Sequence, residues 1–430
     1  MSVITLAVLG GSGVATPELF NALLYWPGEV QTRPELRVVL LGRSQHKLDR
    51  VRAVCEQMVQ GAHPPIYVEA TTNVRAGLKG ADYVLNQVRA GGLEARAHDE
   101  TFPQALGFPG EETVGPGGFA NALRTVPVVM ESLRIVNEVA PRATVLNLTN
   151  PASIVQLAAM RYTHSNIISL CNSPVALTDD LAKLVERPRS EVKVGYLGMN
   201  HLGWAVALCD AEQDLMDLAL ARIDRLAYLG VDAAYIRASR AIPLPYVRYY
   251  LHPESVLAQQ MGKAPRARQL QALEQELLAN YARINEPYNG VAGLVPSSEV
   301  AKRGAVWYSE IVAPALAALN NDLGSTLVVN VPNGQLVPWL PPETVIEIPS
   351  RIDHQGVHPL PVPEYLLPSE LRTLLYSLAL YEELAAPAII ERNRDLALRA
   401  LVAHPLVRTI ERAEHVLDAV WPTGVEDEQT

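Results

Sequence analysis

The feature that most constrains the fold of this 430-residue chain is an alternation of short apolar runs and longer amphipathic runs over its first 170 residues. The short runs are rich in β-branched residues and predict strands, whereas apolar residues recur at helical spacing in the segments between them. Strands that alternate with helices favour a doubly wound parallel sheet with helices on both faces. Ligands of such sheets bind outside the carboxyl ends of the strands, so we expect functional residues directly after each run. The runs are VITLAVLG, LRVVLLG, PIYVEA, ADYVLNQV, ATVLNLT and NIISLC.

The pattern changes after about residue 170, which indicates a second domain, because a chain of this length exceeds one small core. The segments EVKVGYLG and GWAVALCD are typical of strands, and a long helical stretch follows from about residue 211 to 238. A later strand, STLVVNVPN, precedes a helical carboxyl end. The fold class is therefore predicted to be α/β, with a doubly wound domain over 1–170 and a mixed α+β domain over 171–430.

Composition and charge argue against several classes of partner. The formal net charge is −10 and no basic stripe occurs, so nucleic acid is not expected. No apolar run approaches the roughly 18 residues of a membrane span, so no membrane partner is expected. The three cysteines are far apart and odd in number, which is typical of a reducing, cytoplasmic location.

The turn after the first run, VLGGSGVATP, has the composition of a nucleotide-binding loop. Glycine there lets backbone N–H groups approach a pyrophosphate, and the following helix offers the positive end of its dipole. Thr16 is the predicted N-cap of that helix, with Pro17 as its first residue. A tight turn that binds no ligand is the alternative. The candidate cofactor-binding residues are Gly10, Gly11, Ser12 and Gly13.

Two further residues at strand ends are candidates for cofactor binding. The second run ends without the acidic residue that holds a ribose 2′-hydroxyl, and Arg43 and Ser44 stand there instead. This pair would suit the 2′-phosphate of NADP, and a solvated surface arginine is the alternative. Asn86 ends the fourth run, on the same predicted edge.

Other polar residues follow the later runs, and the topology predicts that they meet near one edge of the sheet. Cys171 and His201 do not form a zinc-finger pair, because there is no C-x-x-C and no second close histidine. An open metal site completed by substrate oxygens and water is one interpretation. A buried cysteine and a loop histidine are the other. The group consists of Arg89, Arg96, Asn150, Cys171, Asn172 and His201.

The segment PLPYVRYY contains Tyr246, Tyr249 and Tyr250. Clustered tyrosines are often packing residues. A tyrosine acts as a base only when its pKa of about 10 is lowered, for example by a nearby cation or metal. Nearby arginines would lower it or bind an anionic substrate. These arginines are Arg248, Arg266 and Arg268.

With these residues in place, the chain resembles glycoside hydrolase family 4, the NAD- and metal-dependent glycosidases and 6-phosphoglycosidases. The resemblance covers nearly the whole chain and depends on the order and spacing of its motifs. It implies a Rossmann-like fold similar to lactate and malate dehydrogenases, with a dinucleotide-binding domain over 1–170 and a metal and substrate domain over 171–430. The motifs are RAGGLEARAHDE, GEETVGPGG, ALRTVP, NLTNPA, LCNSP, GYLGMNHLGW and YVRYY.

The resemblance implies hydrolysis of glycosides by a redox-assisted elimination. In this family the nicotinamide takes a hydride from sugar C3, a tyrosine removes the acidified C2 proton, and the aglycone leaves by β-elimination. Water then adds and the hydride returns. A divalent metal stabilises the enolate and lowers the pKa of the tyrosine. The expected cofactors are NAD, with NADP open, and Mn²⁺ or another divalent metal, and the expected partner is a small-molecule glycoside or phosphoglycoside.

The resemblance also gives roles to individual residues. Cys171 and His201 match the metal ligands, and Tyr246 matches the proton acceptor. Glu112 matches the acidic residue that raises the basicity of this tyrosine. Asn172 stands where α-specific members carry an aspartate proton donor, so the chain is similar to β-specific members. The predicted substrate-binding residues are Arg96, Asn150, Asn172 and Arg266.

The chain departs from the family pattern at several positions. Its loop, GGSGVATP, differs from the usual G-G-G-S-x-x-T-P, because Ser12 stands where the third glycine is expected. Glu111 replaces the glutamine of G-Q-E-T. NVPNG differs from the N-T-R-N-N-G of many 6-phospho-β-glucosidases and is more similar to members that take unphosphorylated sugars, so the resemblance leaves the substrate phosphate open. The predicted function is a 6-phospho-β-glucosidase or related β-glycosidase, in a homodimer or homotetramer. A dehydrogenase of hydroxy acids or sugars, and a non-catalytic cofactor-binding protein, are the alternatives.

Overall fold

A computed structural model of the protein describes residues 3–27, 32–211, 213–283, 298 and 301–422. The described strands belong to one twelve-stranded sheet. They are β1 (Ile4–Leu9), β2 (Leu36–Leu41), β3 (Ile66–Thr71), β4 (Tyr83–Asn86), β5 (Thr144–Asn147), β6 (Asn166–Leu170), β7 (Lys193–Met199), β8 (Leu202–Cys209), β9 (Ile242–Pro243), β10 (Ser325–Pro332), β11 (Val345–Asp353) and β12 (Gly356–Pro359).

The first six strands are parallel and lie in the order β3-β2-β1-β4-β5-β6, which is that of a doubly wound sheet. Antiparallel strands extend the same sheet from β6 in the order β10-β11-β7-β8-β9, and β12 pairs with β11. The predicted doubly wound sheet with a mixed α+β carboxyl-terminal part is confirmed. The division at residue 170 stays a prediction, since the pairing of β6 with β10 continues one sheet across it.

The helices cover both faces of the parallel strands. The amino-terminal ones are α1 (Thr16–Leu24), α2 (Gln45–Met58), α3 (Val74–Leu78), α4 (Gly92–Ala105), α5 (Gly115–Val139), α6 (Ala152–Tyr162) and α7 (Ser173–Leu184). Those that follow are α8 (Met216–Ala221), α9 (Ala233–Ser239), α10 (Arg248–Leu251), α11 (Pro253–Gln260), α12 (Arg266–Ala282), α13 (Ala313–Asn321), α14 (Ser369–Ile390), α15 (Arg394–Ala403) and α16 (Ile410–Val420).

The sequence pattern accounts for these layers. β1 is apolar along its length rather than alternating, and its residues after Ile4 are buried, as expected for a parallel strand covered on both faces. α2 buries Leu48, Val51 and Val54, which recur at helical spacing and face the core. Its N-cap is Ser44, whose hydroxyl accepts the backbone N–H of Lys47 at 3.4 Å. The same strand-to-helix geometry recurs through the doubly wound part and exposes its turns at one edge.

Two local predictions were wrong. The N-cap of α1 is Ala15, so Thr16 is the first helical residue, and its buried hydroxyl bonds to a neighbouring loop instead. The long helix predicted over about 211–238 is broken into α8, a 3₁₀ segment at Ile223–Leu229 and α9. The break has a physical cause, because Gly230 adopts the left-handed conformation with φ of 69°, which ends a helix.

Among the described helices, α14 alone is long and apolar enough to cross a membrane. Half of its most apolar stretch is buried within the protein, and the buried carboxyl of Glu382 accepts a hydrogen bond from Ser153 of α6. This packing is that of a core helix.

Candidate functional site

The candidate site lies at the carboxyl edge of the parallel strands, where the doubly wound topology predicts it. A cavity of about 560 Å³ opens there between the middle and end of α4, the turn before α5 and the segment 245–266. A larger groove of about 780 Å³ lies at the opposite end of β1, β2 and β3 and contains none of the predicted site residues. Residues that line the first cavity include Arg96, Glu111, Tyr246, Arg248, Lys263 and Arg266.

The glycine loop occupies the turn between β1 and α1. Gly10 has a φ of +84°, and a Cβ there would lie 2.9 Å from the carbonyl oxygen of Gln87. A Cβ at Gly11 would lie 2.9 Å from the Cα of Leu40. These two glycines are therefore required by close backbone packing. Gly13 has no comparable contact, and its position leaves room at the amino end of α1, which fits a pyrophosphate.

The loop is held from behind by residues that the sequence did not single out. Gln87 Nε2 donates to the carbonyl of Gly10 at 3.3 Å and to Thr16 Oγ1 at 3.1 Å. Gln87 Oε1 in turn accepts the hydroxyl of Tyr308 at 2.6 Å. Tyr308 begins the π-helical turn that leads into α13. The loop is thus fixed by a contact that spans 221 residues of sequence.

The remaining cofactor candidates have different surroundings. Arg43 is exposed at the end of β2 and bonds to no residue that the structure describes, so its charge is free for a ligand. The Ser12 side chain lies beside Gly42, at the same strand end. Asn86 is fully buried, and its amide donates to Asn147 Oδ1 at 2.8 Å. The Asn86 side chain therefore contributes to the interior of the sheet.

The two adjacent carboxylates of GEET have different partners. Glu112 is buried and forms ion pairs with Arg89 and with Arg96, the latter at 2.8 Å. Arg96 also donates to Glu100 at 2.7 Å. Glu111 is not ion-paired to a described residue, and burial followed by the proximity of Glu112 raises its pKa to about 7. Glu112 is thus fixed by arginines, whereas Glu111 faces the cavity.

The proposed metal ligands come from two different parts of the sheet. Cys171 follows β6 directly at the start of α7, and burial raises the pKa of its thiol to about 12. His201 lies in the two-residue turn between β7 and β8, with a φ of +65°. Burial lowers the pKa of His201 to about 4, so its imidazole is neutral near pH 7. A neutral imidazole and a sulfur ligand fit a divalent transition metal, with further positions left for substrate oxygens.

Tyr246 is brought directly against His201. Its ring is stacked on His201 with centroids 3.8 Å apart and an angle of 5° between the planes. Burial, with Glu111 and Cys171 nearby, raises the pKa of its phenol well above the usual value. A cation beside the phenol would lower this pKa, which is what a base role requires.

The substrate candidates are only partly brought together. Arg96 and Arg266 line the same cavity as Tyr246, with Arg266 exposed at the start of α12. Asn172 precedes α7, and its amide donates to Glu310 at 3.2 Å. Asn150 lies before α6 and makes no hydrogen bond to the described part of the chain.

A series of buried, hydrogen-bonded polar side chains lies in the strands next to the site, and the sequence analysis did not predict it. Asn147 Nδ2 donates to Ser169 Oγ at 3.0 Å, and Asn330 Nδ2 donates to the Ser169 carbonyl at 3.1 Å and to Glu347 at 3.3 Å. A sequence signal was present, because asparagine recurs in three apolar strand runs as YVLN, TVLN and VVNV. The members of this polar ladder are Asn86, Asn147, Ser169, Asn330, Glu347 and Tyr196.

The described residues contain one group of three His, Cys, Asp or Glu side chains close enough to share a metal, and it lies elsewhere. It consists of Asp322, Asp353 and His354, beside the turn between β11 and β12. Asp353 is already paired with Arg351 at 2.6 Å. This group contains none of the predicted site residues.

Comparisons with known proteins agree over almost the whole chain. A model described as family 4 glycosyl hydrolase matches residues 6–187, and a model described as family 4 glycosyl hydrolase C-terminal domain matches residues 196–407. A probable 6-phospho-beta-glucosidase of Bacillus subtilis strain 168 is 29% identical over 96% of this chain and 94% of its own.

Solved structures of a 6-phospho-beta-glucosidase from Thermotoga maritima are also similar. One, with NAD and glucose-6-phosphate, has a TM-score of 0.85, 28% identity and coverage of 97% of both chains. Another, with manganese, NAD⁺ and glucose-6-phosphate, has a TM-score of 0.83, 26% identity and the same coverage.

Proposed function

Because the chain belongs to the family 4 glycosyl hydrolases, we propose that it hydrolyses β-linked 6-phosphoglucosides with NAD and a divalent metal ion such as manganese. The observation that carries this proposal is the meeting of Cys171, His201 and Tyr246 beside a cavity with a cationic wall. The named relatives with the same activity, and the manganese, NAD⁺ and glucose-6-phosphate of one of them, support it.

The charge of the cavity supports a phosphorylated substrate. Arg248, Lys263 and Arg266 line it, and none of them is ion-paired to a carboxylate among the described residues. Burial, and then the positive charges of Arg89, Arg96 and Arg266, lower the pKa of the Arg303 guanidinium. An anion would offset this repulsion, and guanidinium groups bind phosphate by paired hydrogen bonds.

The residues of the chain would share the chemistry as follows. When bound, the nicotinamide would accept a hydride and the metal ion would act as a Lewis acid. Cys171 and His201 would hold the ion, and the glycine loop at residues 10–13 would hold the pyrophosphate. Tyr246 would remove the proton at sugar C2, and Arg266 would orient the phosphate.

Asn172 supports the β-linked class. Its side chain is an amide, which cannot donate a proton as a carboxylic acid does. It bonds to Glu310, so it is oriented by the turn that precedes α13. A substrate whose leaving group departs without acid at this position is therefore the better match.

The protein's setting is part of the same proposal. The three cysteines, Cys55, Cys171 and Cys209, are free, which supports a reducing cytoplasm. A homodimer or homotetramer is proposed from the family resemblance.

The decisive experiment compares nitrophenyl β-glucosides with and without a 6-phosphate, together with the α-linked phosphorylated compound. Each is incubated with NAD or NADP and Mn²⁺, and then with one of these withheld. We expect nitrophenol release from the β-linked phosphorylated compound only, and only when both additions are present. Release without either addition would contradict the redox-assisted mechanism, and net NADH accumulation without release would favour a dehydrogenase.

A further inference from the structure

His201 is joined to Glu111 by two short hydrogen bonds that meet at Thr113. Thr113 Oγ1 lies 2.6 Å from His201 Nδ1 and 2.5 Å from Glu111 Oε2. The same Glu111 oxygen accepts the backbone N–H of Thr113 at 2.5 Å. Glu111 Oε2 thus accepts from both donors of Thr113.

The direction of this chain follows from the number of hydrogens available. With Glu111 as a carboxylate, its Oε2 accepts both the backbone N–H and the single hydroxyl hydrogen of Thr113, so the Thr113 oxygen can only accept from His201. Nδ1 of His201 must then carry the ring proton. A neutral imidazole has one N–H, so Nε2 presents a lone pair.

The ring of His201 is also fixed in orientation. It is stacked on Tyr246 in nearly parallel planes, and its backbone adopts a left-handed conformation in a tight hairpin turn. The adjacent carboxylate, Glu112, is held by Arg89 and Arg96 and makes no contact of this kind with His201. Of the two neighbouring carboxylates, Glu111 is therefore the one connected to the histidine.

We infer that Glu111 and Thr113 are positioning residues that hold His201 as the Nδ1–H tautomer and so present Nε2 to a divalent metal ion. The inference rests on the proposed function, in which His201 is a metal ligand. Hydrogen-bond partners behind a ligating histidine set its tautomer and its basicity, and their loss typically lowers metal affinity roughly 10–100-fold.

The first test measures binding of Mn²⁺ alone to the full-length protein, followed by the loss of the electron paramagnetic resonance signal of the free ion. We expect Thr113→Val, which keeps the shape but removes the hydroxyl, to raise the Kd roughly 10–100-fold. Thr113→Ser restores the hydroxyl and should bind within about threefold of the wild type. Glu111→Gln keeps an acceptor oxygen without the charge, so its loss should be smaller than that of Thr113→Val.

The second test reads the tautomer directly from ¹⁵N chemical shifts of histidine in the metal-free protein. The His201 signal is assigned by its absence in His201→Gln, and thermal unfolding confirms that each variant folds. We expect a protonated Nδ1 in the wild type and a shift towards protonated Nε2 in Thr113→Val. A wild-type protein with the proton on Nε2 would overturn this inference but not the proposed function. So would Mn²⁺ binding that is unchanged in Thr113→Val but lost in His201→Gln. Unchanged binding by His201→Gln would overturn the proposed metal site with it.

Discussion

Tyr246, the proposed base, lies in surroundings that disfavour its deprotonated form. Its phenol is buried near Glu111 and Cys171, and this environment raises its pKa well above the usual value. A protonated phenol cannot accept a proton, so the proposed base role requires a positive charge close to the phenol oxygen. Cys171 and His201 are the residues that would bring this charge, because His201 lies against the tyrosine ring.

We therefore expect Tyr246→Phe to lower nitrophenol release by roughly 10²–10⁴-fold, the usual contribution of a general base. It should also stop the exchange of the substrate's C2 proton with solvent, which NMR in deuterated buffer measures. Tyr249→Phe removes another phenol of the same cavity and should retain the exchange. Exchange at the wild-type rate in Tyr246→Phe would assign the base to another residue.

Arg43 gives a second prediction for a single side chain. It is exposed at the end of β2 without a bond to any described residue, where a 2′-phosphate would lie. If Arg43 reads that phosphate, Arg43→Ala should weaken NADP roughly tenfold more than NAD, as fluorescence titration of each dinucleotide would show. Equal effects on both dinucleotides would make Arg43 an ordinary surface residue.

The members of the polar ladder lie within the strands of the sheet. Asn147 ends β5, and its side chain joins Asn86 of β4 to Ser169 of β6. All three side chains are fully buried, so these hydrogen bonds satisfy polar groups that water cannot reach. The ladder lies directly beneath the turns that carry the catalytic candidates, and it therefore fixes the spacing of the strand ends.

Asn147→Leu should lower the free energy of unfolding by about 2–4 kcal/mol, because it leaves several buried polar groups without partners. Urea denaturation measures this loss. Asn166→Ala is the matched control, since its amide bonds to Thr144 at the exposed end of the same strand pair. It should cost about 0.5 kcal/mol or less. Similar losses for both variants would show that the ladder adds little.

The parallel strands could be predicted because their signal is local. Each of the six runs has its own apolar, β-branched composition, and the structure confirms all six as strands. The insertion of β10 and β11 between β6 and β7 could not be predicted in this way. It depends on pairs such as Val329 with Leu170, which are far apart in the sequence and have no local signature.

The candidate site likewise contains residues that a local sequence signal predicts and contacts that no local signal predicts. Residues that follow strands, such as Cys171, could be named from the rule that ligands bind at strand ends. Contacts across the chain could not, because a threonine in GEET gives no indication that its hydroxyl meets a histidine 88 residues later. Candidate residues with their own chemistry could therefore be named from the sequence, whereas the side chains that hydrogen-bond to them could not.

On the scale of the whole molecule, α14 ties the carboxyl-terminal helices to the doubly wound sheet through a buried carboxyl group. Ser153 of α6 donates to Glu382 at 2.5 Å, while the second Glu382 oxygen bonds to none of the described residues. Burial raises the pKa of Glu382 to about 8. The nearby ring of Tyr381 meets His404 edge-on, and burial lowers the pKa of His404 to about 3.

These opposite shifts give the stability a definite dependence on pH. Below pH 6.5, His404 is protonated in the unfolded chain but stays neutral in the folded one, which opposes folding. The contribution of Glu382 is therefore measured above pH 6.5. Between pH 6.5 and 8, Glu382 is ionised in the unfolded chain but still protonated in the folded one. The folded state then binds the extra proton, so the Glu382 contribution to stability falls as pH rises, by about 2 kcal/mol over this interval.

Glu382→Gln keeps the acceptor for Ser153 and removes the titration. We expect the wild type to lose about 2 kcal/mol more unfolding free energy than this variant between pH 6.5 and 8, as urea denaturation at each pH would show. All other titrating groups are common to both proteins, so their contributions cancel in the difference. Parallel pH profiles for the two proteins would mean that Glu382 is already ionised in the fold. In that case the contact between α14 and α6 would be made by a charged carboxylate.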